Sequence, residues 1–267
     1  MSNTNQRCRI NKDKILTYLM DFSAFDCNEN ITVLPRLAST NDYLADNYKD
    51  KFEPFKFVIA EEQTAGRGSN GRSWSSPHDT GIWLSFTWQT DINTSVIPAA
   101  IAVTTLNNLE KLIGNNKLKV KWPNDIYYKN NKVAGILIES HTSNELNNLI
   151  IGVGINIYPY SHPIQQKNTS IYEIGNNILD RNKIIASYIK DIYKVLSTIE
   201  EQKEKIIKSW NENDLYKDTE ITIKTGNKYY TGKNLGLNND CTLQILTKNN
   251  VVKIHHGRIT TKKLERI

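Results

Sequence analysis

Gly66-Arg67-Gly68-Ser69-Asn70-Gly71-Arg72-Ser73-Trp74 places three glycines and two arginines within seven residues and closes on a tryptophan. Glycine lets the backbone take φ > 0 and approach a ligand closely. Successive exposed N–H groups then make a concavity that suits an anion. Arg67 and Arg72 add fixed charge that forks onto phosphate or carboxylate. Trp74 offers a flat face to a ring. The stretch reads as a loop closing over an anionic, ring-bearing small molecule. The competing reading is a disordered basic surface loop, and the segments on either side decide between them.

Working outward, KFVIAEEQ (56–63) is a strand leading into the loop and GIWLSFTWQ (81–89) a strand leaving it. ITVLPRL (31–37) is an earlier strand, followed by Ser39-Thr40-Asn41, which caps a helix over 41–48. An amphipathic pattern over 95–113 carries Ile97, Ile101, Leu106, Leu109 and Leu112 near one face. KLKVKW (117–122) is a short strand. Residues 126–140 read as a hairpin turning at Asn130-Asn131, and 148–158 as a buried strand whose Gly152 and Gly154 mark close backbone approach. Residues 11–22 have helical spacing, and one long helix is expected over about 182–212. From 219 onward the texture changes to short alternating strands with turns at Gly226-Asn227, Asn238-Asn239 and Asn249-Asn250, the pattern of a small β-barrel.

Three further pieces carry chemistry. Lys121-Trp122-Pro123-Asn124-Asp125 joins a strand to a hairpin, and the proline keeps Trp122 out of helix. Its Lys and Asp suit a rigid site, or equally a strand-end turn with a surface carboxylate. Lys132 opens the strand running to Glu139. It either snorkels to water or points into a cleft to neutralise an anion, with Gly135 permitting close approach. Asn156 is an amide in an apolar strand, either a satisfied core residue or one that reads a nucleobase edge.

The 267 residues are 39% hydrophobic and 23% charged, an ordinary globular composition. No run approaches the ~18 apolar residues of a membrane span, and MSNTNQRCRINKDK lacks the apolar core of a signal peptide. Cys8, Cys27 and Cys241 are odd in number and widely spaced, which suits free thiols in a reducing cytoplasm. The net charge of +6 is spread along the whole chain, as on a solvated lysine surface. A nucleic-acid surface, or a basic rim for an acidic partner, are the alternatives.

From about residue 30 to the end, these segments in this order and spacing resemble the biotin–protein ligases. The resemblance rests on Ser39 to Asn41, Glu62 to Trp74, Lys121 to Asp125, Lys132 to Glu139, Gly152 to Asn156, the helix ending near Trp210 and Asp214, and the terminal barrel. It implies an α/β (α+β) fold: a central mixed sheet with flanking helices, like that of class II aminoacyl-tRNA synthetases, plus an SH3-like C-terminal barrel. The implied domains are 1–216, including a helical extension over 1–30, and 217–267. The implied reaction converts biotin and Mg2+-ATP into biotinyl-5′-AMP, then passes the biotinyl group to a lysine of a biotin carboxyl carrier protein.

Residue by residue, the resemblance implies that Ser39, Thr40, Asn41, Gln63, Gly66, Arg67, Lys132 and Gly135 bind biotin. Gly68, Ser69, Gly71, Arg72, Trp74, Lys121, Asn124 and Asn156 then bind ATP or the adenylate. Lys132, Arg67 and Arg72 offset the repulsion between carboxylate and α-phosphate, and Asp125 positions or deprotonates the acceptor lysine, whose free pKa is about 10.4. No Mg2+ ligand is assigned, and Lys262 is a weak match to a barrel residue reaching the nucleotide. A cytoplasmic enzyme is implied, with no membrane contact and a homodimer as a possible assembly. Two departures stand out. The family loop usually has an arginine where this chain has Ser69, so looser retention of the adenylate is expected. Only about 30 residues precede the first family strand, too few for a three-helix DNA reader, so a ligase that is not a repressor is expected. The nearest alternative is a lipoate–protein ligase. The octanoyl-transferase branch needs a catalytic cysteine, and no cysteine lies in these segments.

Overall fold

The computed structural model describes residues 7–48, 51–114, 117–143, 146–161, 167–177 and 179–260. Lys262 lies outside these residues.

Seven strands form the central sheet: β1 (Ile31–Leu34), β2 (Phe57–Ala60), β3 (Gly81–Thr90), β4 (Leu118–Lys121), β5 (Asp125–Tyr128), β6 (Asn131–Ser143) and β7 (Leu146–Asn156). Their order is β1-β2-β3-β7-β6-β5-β4. Only β1 and β2 pair in parallel; the other neighbours are antiparallel. The sheet is therefore mixed, as expected.

The period-two alternation of strand side chains gives this sheet two different faces. Ile82, Leu84 and Phe86 of β3, Ala134 and Ile136 of β6, and Ile151, Val153 and Ile155 of β7 belong to the main core. That core is shared with α1 (Lys12–Tyr18), α4 (Ile97–Ile113), α6 (Arg181–Ser197) and α7 (Ile199–Asn213). Ile97, Ile101, Leu106 and Leu109 of α4 are buried, each worth about 1.5–3 kcal/mol of transfer free energy. The intervening residues Ser85, Gly135, Leu137, Gly152 and Gly154 face the other way. On that side α3 (Thr40–Asn47) packs Leu44 against Val58 and Ile150. The result is one greasy face and one face floored by small residues, and the small-residue face holds the site.

Ser39 caps α3 by accepting the N–H of Asp42 at 3.3 Å. The hairpin between β5 and β6 turns at Lys129 and Asn130, one residue earlier than the sequence suggests, with Lys129 at φ 52. The single long helix expected over 182–212 is two helices. Thr198 interrupts it at φ −130 and stands at the start of the next helix without a side-chain capping bond, and the apolar periodicity hides the break. Two short helices were not anticipated: α2 (Cys27–Asn30) and α5 (Ile171–Gly175), the latter closed by a Ser170/Glu173 capping box.

A second, antiparallel sheet follows: β8 (Glu220–Thr225), β9 (Lys228–Leu237), β10 (Leu243–Leu246), β11 (Val251–Ile254) and β12 (Arg258–Ile259), in the order β11-β10-β9-β8-β12. It is tied to the first by Leu215, whose N–H donates to Val120 O at 2.8 Å, and by Asn234, whose amide donates to Asp214 at 2.8 Å. Burial pushes the Asp214 carboxyl up, against the lowering effect of the hydrogen bonds it accepts from Tyr216 N–H and Asn234. Among the described residues no helix is long and apolar enough to cross a membrane.

Candidate active site

The glycine-arginine loop is a tight hairpin. Gly68 N–H donates to Arg72 O at 2.7 Å and Trp74 N–H to Gly66 O at 2.8 Å. Asn70 and Gly71 make the reversal in the left-handed region, at φ 59 and 71. Arg72 folds back on the turn, donating to Ser69 O at 3.1 Å and Ser69 Oγ at 2.8 Å. Part of the loop's backbone N–H set is thus already used, and an arriving anion meets an ordered loop.

This hairpin covers a cavity of about 400 Å³ over the small-residue face of the sheet. Its size suits a small molecule and its mixed lining suits one with both ring and charged parts. The floor is Gly135 paired with Gly154, with Gly152 alongside. Trp74 lies directly on that floor. A Cβ on Gly154 would stand 2.6 Å from its indole and one on Gly135 2.9 Å, so both positions must be glycine for the ring to sit there.

At one wall Lys132 is almost fully buried. Its Nζ lies 2.6 Å from Asp125 Oδ1 and 4.8 Å from the Trp74 ring centroid. Of the two readings of Lys132, the one that points into a cleft is observed. Lys121 stands behind, over the rings of Tyr127 at 5.0 Å and Tyr216 at 5.8 Å. Burial lowers its pKa; Asp125 opposes that shift, and Lys132 and Arg72 reinforce it. Lys132 pairs with Asp125, and Lys121 lies within the influence of both Lys132 and Arg72, an excess of positive charge that suits a polyanion.

At the opposite wall a chain of polar groups runs through the cavity lining. Gln63 Nε2 donates to Ser76 Oγ at 2.7 Å, and Gln63 Oε1 accepts Thr40 N–H at 2.8 Å. Thr40 Oγ1 lies 2.6 Å from Ser85 Oγ, which donates to Asn41 Oδ1 at 2.6 Å. Asn41 Nδ2 donates to Glu139 Oε2 at 2.7 Å. Glu139 also holds Arg67 in a two-pronged pair at 2.7 and 2.8 Å, and Asp42 meets the same guanidinium at 2.5 Å.

The structure brings Ser39, Thr40, Asn41, Gln63, Arg67, Gly68, Ser69, Gly71, Arg72, Trp74, Asn124, Asp125, Lys132, Gly135 and Asn156 to this one cavity. Gly66 and Lys121 are not among its lining residues. Gly66 sits behind the hairpin, where a Cβ would come within 2.5 Å of Trp74 O, and Lys121 acts only through its charge. Arg67 is fully engaged by carboxylates. Asn156 donates to the carbonyls of Lys132 at 3.4 Å and Thr169 at 3.2 Å, so its amide N–H groups brace two segments of the wall. Asn124 is held by the Ile136 backbone through both its side chain and its carbonyl.

Sequence reasoning missed Ser85, Asp42, Glu139 and Tyr160 as parts of the site. Glu139 had a legible signal, since it follows Gly135 and Leu137 at period two on β6. Tyr160, whose Oη lies 3.3 Å from Ser75 O, lines the cavity and is pushed up to about 12 by burial. Also unforeseen is a wholly buried Arg181. It donates to Glu61 at 2.5 Å, Asp79 at 3.1 Å, and the carbonyls of Cys8 and Gly81. That cluster pins the N-terminal segment and the loop before β3 to α6.

Residues 33–156, the stretch that builds this site, match the model of the biotin/lipoate A/B protein ligase family. The bifunctional ligase/repressor BirA of Escherichia coli is 30% identical over 232 residues, covering 84% of this chain and 71% of that protein. The biotin–[acetyl-CoA-carboxylase] ligase of Mycobacterium tuberculosis is 30% identical over 141 residues, 51% of this chain and 52% of that one. A biotin protein ligase from Aquifex aeolicus, solved with biotin and ATP, superposes with a TM-score of 0.76 at 28% identity, covering 87% of this chain and 98% of that one. The chain belongs to the biotin/lipoate A/B protein ligase family.

Proposed function

We propose that this protein is a biotin–protein ligase. It activates biotin with ATP to biotinyl-5′-AMP and transfers the biotinyl group to a lysine of a biotin carboxyl carrier protein. The observation that carries the proposal is Lys132, a buried ammonium between Asp125 and the face of Trp74, on the wall of a cavity whose far wall is a polar chain. Relatives so named, and a neighbour solved with biotin and ATP, support the same reading.

In the first step a biotin carboxylate oxygen attacks the α-phosphorus, and the bond to the β-phosphate breaks to release pyrophosphate. Two anions must approach, and Lys132, Lys121 and Arg72 lower that barrier by their charge. In the second step the acceptor amine attacks the acyl carbon and AMP leaves. The amine must lose a proton, and Asp125, a carboxylate of the cavity lining, is the group we propose accepts it, an assistance typically worth ~10²–10⁴-fold. Mg2+ bound with ATP would screen its phosphates, and Asp125 is the carboxylate of the cavity lining that would hold it.

Biotin is favoured over lipoate by the polar wall. A ureido ring brings two N–H groups and a carbonyl to Thr40, Gln63 and their neighbours. A dithiolane ring brings none, and would cover the polar wall without a hydrogen bond to it. Residues 1–216 are taken as the catalytic domain and 217–267 as a second domain. A homodimer remains part of the proposal. The test is incubation with ATP, biotin and a carrier domain, followed by intact mass measurement. Biotinylation of one lysine is expected; lipoylation under parallel conditions, or no modification, contradicts the proposal.

A further inference from the structure

We infer that Asn168 is a further substrate-binding residue of this cavity, and that its side-chain amide takes the sugar hydroxyls of the nucleotide. The inference rests on the ATP half of the proposed function and names a contact which that reading leaves open.

Asn168 is half-buried and lines the cavity. The backbone of Lys132 sets its place. Lys132 N–H donates to Lys167 O at 3.0 Å, and Thr169 N–H donates to Lys132 O at 3.0 Å. Residues 167–169 thus make a parallel bridge centred on Asn168 and Lys132. Residues that face each other across such a bridge send their side chains to the same side. The Lys132 ammonium points into the cavity, so the Asn168 amide stands beside it. The segment is held beyond the bridge as well. Thr169 O accepts the Asn156 amide at 3.2 Å, and Ser170 opens α5 with its capping box to Glu173. A side chain on so fixed a backbone is well placed to read a ligand. The amides of Asn41, Asn124 and Asn156, which line the same cavity, are all engaged by the protein. The Asn168 amide alone of these four has no hydrogen-bond partner among the described residues.

The ligand group follows from the neighbours. Base, sugar and α-phosphate are joined in that order. With the base on Trp74 and the α-phosphate at Lys132, the sugar lies between them, within reach of the residue that faces Lys132. An amide offers both a donor and an acceptor, and so does a pair of vicinal hydroxyls. A phosphate oxygen only accepts, and it would set the Asn168 carbonyl against an anion. Lys132, Lys121 and Arg72 already form the cationic group that the phosphates need.

The test is biotin-dependent pyrophosphate exchange with ATP, 2′-deoxy-ATP and 3′-deoxy-ATP, comparing kcat/KM in the wild type, Asn168→Ala and Asn168→Leu. In the wild type at least one deoxy nucleotide should be about 10-fold poorer than ATP, the worth of one or two hydrogen bonds. In Asn168→Ala, ATP should fall to about the level of that deoxy nucleotide, and the ratio between them should drop below about 3-fold. KM for biotin and the melting temperature should move little, because the amide is not bonded to the described protein groups. Asn168→Leu keeps the side chain's shape without its polar atoms. It should lose the ratio as well, and it serves if the alanine variant does not fold. Lys167→Ala removes the exposed side chain next door and should keep the wild-type ratio. A wild type indifferent to both deoxy nucleotides, a ratio that survives in both Asn168 variants, or a ratio lost in Lys167→Ala overturns the inference alone. Absence of biotin-dependent exchange by the wild type overturns the reading beneath it.

Discussion

Gly154→Ala is the most informative single substitution in the floor of the cavity. The new Cβ would stand 2.6 Å from both Cε2 and Nε1 of Trp74. Ordinary contact begins near 3.4 Å, so the indole must retreat by about 0.8 Å. Gly154 lies in regular β7, where alanine takes the backbone without strain, and the cost falls on the ring alone. Overpacking of this kind costs about 1–3 kcal/mol. Because Lys132 sits 4.8 Å above the same ring, the displacement reaches the proposed reaction centre. If that cost appears in ligand binding, KM for ATP, the substrate assigned to Trp74, rises by roughly 5- to 150-fold, since each 1.4 kcal/mol is a factor of 10. The assay is steady-state pyrophosphate release with biotin and ATP varied separately, together with a thermal melt. The melting temperature should move little, and Trp74→Phe in the same chain should recover part of the loss by giving the methyl room. An unchanged KM for ATP in Gly154→Ala would refute the placement of Trp74 against the bound nucleotide.

Other expectations follow from the same structure. Arg181→Leu leaves Glu61 buried without its partner and frees two carbonyls, so stability should drop by about 3–5 kcal/mol in urea unfolding. Asp214 has a folded pKa above its unfolded one, so the folded state holds the extra proton; its contribution favours folding at low pH and is lost as pH rises from the ordinary carboxylate range through the raised value. Asp214→Asn should therefore flatten that part of the stability–pH profile, and an unaltered slope contradicts the assignment. Ser69→Arg removes the hydroxyl that holds Arg72 and introduces the arginine that the family resemblance implies there; release of free biotinyl-adenylate should slow, as measured by rapid filtration.

Much of the site was legible because its chemistry sits in short, dense segments. The loop from Gly66 to Trp74, the Lys121–Asp125 turn and the Lys132 strand each announce their residue types, and period two puts Gly135, Gly152 and Gly154 on one face. The capped start of α3 was equally plain, since Ser39 precedes a polar-apolar helical pattern. What remained hidden depends on partners far apart in sequence. Nothing near Arg67 says that its guanidinium will meet Glu139, 72 positions away. Nothing near Arg181 says that it will be buried, because its carboxylates come from Glu61 and Asp79. The Thr198 break was disguised by apolar spacing that runs on through both helices, although Thr198 followed by Glu200 and Glu201 has the form of a helix restart.

The central claim is that this cavity adenylates biotin. Biotin-dependent exchange of labelled pyrophosphate into ATP tests it most directly, with lipoate and octanoate in parallel and Lys132→Ala as the control. The account predicts exchange with biotin alone and its loss in Lys132→Ala. Exchange driven by lipoate, or exchange with biotin that survives in Lys132→Ala, would contradict it.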